Sequence, residues 1–357
     1  MILPKSLHPL RIRTTWLMVF CCLSVAACGP SKTALLERAE RHPTRAVAYW
    51  GQDWKRIPLK NRIAEAPAAL IEKIGIENEA EGFAERPAAA EPTGEFRGVL
   101  SEIAARLPDP VRALAEDRII GVFLVDSLGG TGYAEAVLDA RGEEHYAVIV
   151  LDRCVLLERK ANEWASWKEN SFFRPGPPET GIDVTIEPAG QDSVANAIRY
   201  ILLHEMGHAL GMASGVEPSW YGKAVASESY PFTTISWKAD GEKVVSRFEE
   251  GFPERSHLRP YQFEKSALER TQAGDIYGRL FSRTDFPTIH SAQNIWEDFA
   301  ESFVNYFHTE LERRPYEVRL RGGDGRDRVF RSCWNNDRCR KKQNFMERWF
   351  ANPSRNP

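Results

Sequence analysis

The stretch YILLHEMGHALGM, from Tyr200 to Met212, sets two histidines and a glutamate in an otherwise apolar run. Burying imidazole and carboxylate groups costs free energy unless a partner satisfies them. On a helix, positions i and i+4 lie on one face, about 40° apart, so His204 and His208 point the same way. Val194, Ala197, Ile198 and Ile201 fall near that side, which makes it the inward face. Two inward imidazoles with a glutamate between them form the donor pattern of a zinc site. Imidazole nitrogen suits Zn2+, and a glutamate in second place can serve as general base for a water beside the metal. The spacing predicts His204 and His208 as ligands of one zinc ion per chain, with Glu205 as the base.

A catalytic zinc takes a third protein ligand and leaves a position for water. NIWEDFAESFVNYF offers acids on a second helix, predicted over about 292–312. Trp296, Phe299, Ala300, Phe303, Val304 and Phe307 make one apolar stripe at helical spacing. Glu297 sits about 100° from Trp296, at the border of the stripe. Glu301 lies one turn on and slightly further out, and Asp298 points away.

These two motifs carry a family resemblance. HEMGHALGMAS has Ser214 where one zincin class places a third histidine, and serine is a poor zinc ligand. The other large class, the gluzincins, takes a glutamate from a downstream helix. The spelling E-x-F-A-E-x-F resembles the catalytic domain of anthrax-lethal-factor-type gluzincins, over roughly residues 180–310 and in short motifs only. The resemblance implies a zincin-like fold with Glu297 as the third ligand. It implies Glu301 as an acid that holds a ligand histidine by its other ring nitrogen. Gly211 is then read as helping to end the first helix. A group that stabilises the transition-state oxyanion is also implied. His290 stands where that type carries a tyrosine, and Tyr277 is the reserve. The chain departs from the pattern in its gap: Glu297 follows His208 by 89 positions, which implies an insertion at 214–262. Should neither acid bind metal, Asp240, His257, Glu264 and Asp275 are the remaining candidates there and beyond.

Elements must hold these residues in place. IIGVFLVDSL and HYAVIVLDRCVLLE read as strands, with a Gly-rich turn and a third strand between them. GIDVTIEPAG reads as another strand, and Asp192 or Ser193 can cap the helix that runs to about Ala213. Strands followed by helices give an α+β domain with a small mixed sheet. The predicted organisation is a signal segment at 1–27, a helical N-terminal region and linker at 28–95, a metallopeptidase domain at 96–312, and a C-terminal extension at 313–357. Residues 77–95, acidic and rich in Ala and Pro, read as the linker. EWASWKENSFF at 163–173 reads as core packing with some prospect of lining a cleft.

The N-terminus reads as an export signal. Lys5, Arg11 and Arg13 precede the apolar TWLMVFCCLSVAA, which is short for a membrane span and ends in small residues. Val25-Ala26-Ala27-Cys28 resembles the bacterial lipobox, which implies a lipid-anchored envelope protein acylated on Cys28 and, with Gly29 following, an outer-membrane destination facing the periplasm. CWNNDRC then permits a Cys333–Cys339 disulfide in an oxidising compartment, and Cys154 reads as a buried inert thiol. A net charge of −3 gives no basic excess for nucleic acid, and RCRKK at 338–342 reads as a solvated face. The expected activity is zinc-dependent hydrolysis of peptide bonds in envelope peptides or proteins. Two alternatives are a non-catalytic zinc-binding lipoprotein and an exported effector toxin; a zinc amidase of non-peptide substrates is a further one.

Overall fold

The computed structural model describes residues 30–176, 180–222, 225, 227–262, 268–321, 327–334 and 336–353. The signal segment, Cys28 and Glu264 lie outside the described residues. The chain is mixed α+β with small sheets. The main sheet contains β1 (Ile63–Glu65), β2 (Ala88–Ala89), β3 (Ile119–Asp126), β4 (Gly132–Leu138) and β5 (Glu144–Asp152). Its order is β1-β3-β5-β4, with β2 also paired to β3. β3 lies parallel to β1 and β5, while β4 is antiparallel to β5 and forms the edge. The apolar runs of β3 and β5 suit central strands covered on both faces. Among the described residues, no helix is long and apolar enough to cross a membrane.

The histidine helix runs Val194–Ser214 under this sheet, with contacts to β4 and β5. Ser193 caps its start by accepting from the Asn196 N–H. Gly215, at φ +69°, ends it in the left-handed conformation that glycine adopts most readily. The expectation that Gly211 ends the helix is therefore corrected. Gly211 instead leaves room for a neighbour: a Cβ there would lie 2.5 Å from the Phe299 ring and 3.0 Å from the Glu217 carboxyl carbon.

The glutamate helix, Ile295–Tyr306, crosses the histidine helix. Asn294 opens it, its side-chain oxygen accepting from the Trp296 and Glu297 N–H groups. Phe299, Ala300, Phe303, Val304 and Phe307 are all buried, as the stripe predicts. At Gly207 backbone meets backbone between the two helices. A Cβ at that position would stand 2.9 Å from Ala300 Cα and 3.0 Å from its carbonyl oxygen.

The segments outside 96–312 share sheets and core with the residues inside. β1 and β2 belong to the N-terminal region, and a helix over Ala68–Glu81 replaces the start of the expected linker. Strand Glu317–Arg321 pairs with Gly181–Thr185 and with Arg328–Arg331. The C-terminal helix, Arg340–Ala351, packs Trp349 against Phe299 and Phe303 at ring distances of 5.4 and 5.7 Å. Within 338–342 the solvated reading holds for Arg340 and Lys341, which are exposed, and fails for the rest. Lys342 is buried on Asp298, and Arg338 donates to the carbonyls of Thr284 and Phe286. A buried ammonium persists where a carboxylate meets it.

Cys333 and Cys339 form the disulfide, with Cα atoms 5.6 Å apart. Cys154 is not buried. β5 gives way at Arg153 to a short helix, and Cys154 is exposed there, its thiol donating to Asp126.

Candidate metal centre

His204 and His208 lie one turn apart on the histidine helix, with Nε2 atoms 3.2 Å from each other. Glu297 Oε2 stands 3.5 Å from each of those nitrogens. The three atoms form a triangle with edges of 3.2, 3.5 and 3.5 Å. An ion bound tetrahedrally at zinc distances separates its ligand atoms by about 3.3 Å, so the donor set fits zinc in type and spacing. Among the described residues, the grouping of potential metal ligands that holds His204 and His208 adds Glu297, and none of Asp240, His257 or Asp275.

Glu301 backs this arrangement. Its Oε1 lies 3.0 Å from His204 Nδ1, on the ring face away from Glu297, and its Oε2 accepts from the Thr288 hydroxyl at 2.7 Å. Lys168 donates to Oε1. At 1% exposure Glu301 is deeper than the border position read from helical angles. Burial favours its neutral form, but the Lys168 charge and the histidine contacts hold the carboxyl below its ordinary range. Asp298 points away as expected, into a buried contact with Lys342 and the Trp237 indole N–H.

His290 arrives on the turn before the glutamate helix, with Nε2 3.0 Å from Glu297 Oε2. Tyr277 does not reach the site. It is buried elsewhere, donating its hydroxyl to Glu169. Two tyrosines line the cleft, Tyr133 of β4 and Tyr261 from the expected insertion, and the Tyr261 ring centroid lies 6.1 Å from that of His290. The Tyr261 backbone φ of +59° is a strained conformation for a non-glycine residue. No local signal marks this residue in sequence, since only the fold brings it in.

These groups open on a cavity of about 330 Å³ lined by β4 residues, Trp164, Lys168, Trp220, Tyr261 and Trp296 together with the site itself. Trp164 and Lys168 thus serve both core and cleft. Glu205 faces the same cavity from the helix that carries His204 and His208. Burial pushes its carboxyl up to about 7. Burial also takes His204 down to about 4, whereas at His208 the Glu297 charge outweighs burial and lifts the ring to about 9. Glu297 goes the other way: burial works to raise it, and His290 and His208 hold it well below the carboxylate range.

Sequence reasoning did not find Glu217. It follows the histidine helix, lies buried beside Gly211, and accepts from the Trp220 indole N–H at 2.8 Å. Burial lifts its carboxyl to about 8.

Glu169 gives a pH test of the fold. Its buried carboxyl is raised by burial from 4.5 to about 7. The folded chain therefore keeps a proton that the unfolded chain has released inside this window. Stability falls as pH rises through it; the cost is absent below the window and complete above it. The expected size is roughly 3 kcal/mol. Unfolding free energies at about pH 5 and about pH 8 measure it, and Glu169→Gln should flatten this component of the slope. An unchanged slope in the variant counts against the assignment.

Comparison with family models, with curated proteins and with solved structures finds no match for this chain.

Proposed function

We propose that this chain is a zinc-dependent metallopeptidase of the gluzincin type, anchored by lipid on Cys28 in a bacterial envelope, facing the periplasm from the outer membrane. The triangle of His204 Nε2, His208 Nε2 and Glu297 Oε2 carries the reading, because its edges match a tetrahedral zinc. Held by His204, His208 and Glu297, zinc would supply Lewis acidity to activate a water and polarise the scissile carbonyl. Glu205 lines the cleft beside His204 and His208, and its raised pKa suits a base near neutral pH. It takes the proton of the attacking water and passes it to the departing amine. His290, buried at the same cavity, is placed to donate to the developing oxyanion.

The purified chain is expected to carry one zinc. Glu297→Ala should strip the metal, while Glu301→Ala should weaken its binding about 10–100-fold. Metal content by elemental analysis decides this, and the reverse order of losses would exchange the two roles. Membrane attachment has its own test. Cys28→Ser should leave a precursor of higher mass that keeps its signal, and processing of that variant like wild type would end the lipid-anchor reading.

A second reading has one observation in its favour. His290 Nε2 lies 3.0 Å from Glu297 Oε2, outside the grouping of His204, His208 and Glu297, so a shift of its ring toward the two histidines would add a fourth donor and close the site as a structural, non-catalytic zinc.

A further inference from the structure

The metallopeptidase reading assigns Lys168 no role of its own. It belongs to the helix Ala161–Asn170 and is 4% exposed. An ammonium at that depth persists only where a carboxylate and further contacts meet it. Its partner is Glu301, 133 positions away in the chain. The contacted oxygen is Oε1, the one that faces His204 Nδ1 at 3.0 Å, while Thr288 occupies Oε2. Lys168 Nζ also sits 5.5 Å from the Trp164 ring centroid, where an aromatic face attracts a cation.

We infer that Lys168 is a positioning residue of the metal centre: its ammonium fixes the Glu301 carboxylate, which in turn orients the His204 ring. The inference rests on the zinc-site reading above. Glu301 has three neighbours from three elements, namely Lys168, Thr288 and His204. Two of them donate to set the plane of the carboxylate. The third then presents its Nδ1–H to a fixed acceptor, and this tautomer leaves the Nε2 lone pair for the metal. Lys168 thus reaches the metal through two relays without touching it. A lysine that merely tied two helices together would have no reason to share the oxygen that faces the ligand histidine.

The test uses the metal-depleted full chain titrated with Zn2+ against a chromophoric chelator, and with Co2+ for its visible absorption spectrum. Lys168→Met should weaken zinc binding about 10–100-fold and alter the Co2+ bands, as loss of an outer partner does. Glu301→Gln should do the same. The double variant should bind no more weakly than the worse single one, because both act through one relay. Lys168→Gln keeps a donor without the charge and is the variant to use if Lys168→Met does not fold; an intermediate loss is expected. Thermal unfolding of the metal-free chains separates folding from metal binding. A folded Lys168 variant with wild-type zinc affinity overturns the inference, as do losses that multiply in the double variant. If the wild-type chain binds no zinc, the metal reading falls along with it. If the wild-type chain binds zinc but cleaves no peptide, only the peptidase reading falls and the Lys168 comparison still decides.

Discussion

Glu205→Gln should abolish peptide hydrolysis and leave zinc content at wild-type level. The glutamine keeps the length and shape of the side chain. It cannot take a proton. General base catalysis is worth about 10²–10⁴-fold, so kcat should drop by that much or more. Glu205 is absent from the ligand triangle, so metal binding has no reason to change. The measurement pairs kcat on one cleavable peptide with zinc stoichiometry on the same preparation. A fully active Glu205→Gln enzyme would remove the peptidase mechanism. Comparing peptides released from envelope extracts by wild type and variant would also identify the substrate.

His290→Ala should separate the two readings of the centre. As an oxyanion donor, His290 acts when charge develops on the substrate. Its loss should cost about 10²–10³-fold in kcat, or ~3–4 kcal/mol, as with one oxyanion-hole donor elsewhere. KM should move little, because the interaction forms in the transition state. Zinc affinity should remain near wild type. As a fourth ligand, His290 would show the opposite signature: a large loss of zinc affinity and no catalysis to lose. Its Nε2 is 3.0 Å from the oxygen that faces His204 and His208, which puts it beside the triangle without making it a corner, and metal titration decides. If the variant keeps both kcat and zinc, the oxyanion role passes to Tyr261, since Tyr277 is committed to Glu169.

The parts of the site legible in sequence are those set by local periodicity. His204, Glu205 and His208 lie within one and a half turns of an apolar helix, and Glu297 borders a stripe whose spacing gives its direction. The mixed sheet was legible for the same reason, because β3 and β5 are uninterrupted apolar runs. What escaped depends on partners distant in the chain. Helical angles put Glu301 at a half-wet border, and it is buried because Lys168 comes from another helix to meet it. Lys342 looked like part of a basic surface until Asp298 is seen beneath it. Tyr261 and Tyr277 are alike as letters, and only the path of the chain after Ser214 decides which one faces the metal ligands. Cys154 was misread because β5 ends in mid-run, where Asp152 caps a helical turn that periodicity alone does not announce.

The contact at Gly207 bears on how chains of this design should be recognised. The middle of the histidine motif reads Met206-Gly207, and the usual pattern leaves both positions open. Here a methyl group at the second would meet the backbone of Ala300 at 2.9 Å, and backbone cannot swing aside as a side chain does. Any larger residue must part the two helices and carry Glu297 away from the histidines. The useful search pattern is therefore H-E-x-G-H joined to a distant E-x-x-A-E, with the glycine as the position that sets how closely the helices approach. A sequence that fills that position should be expected to hold its two helices further apart or to build its third ligand elsewhere.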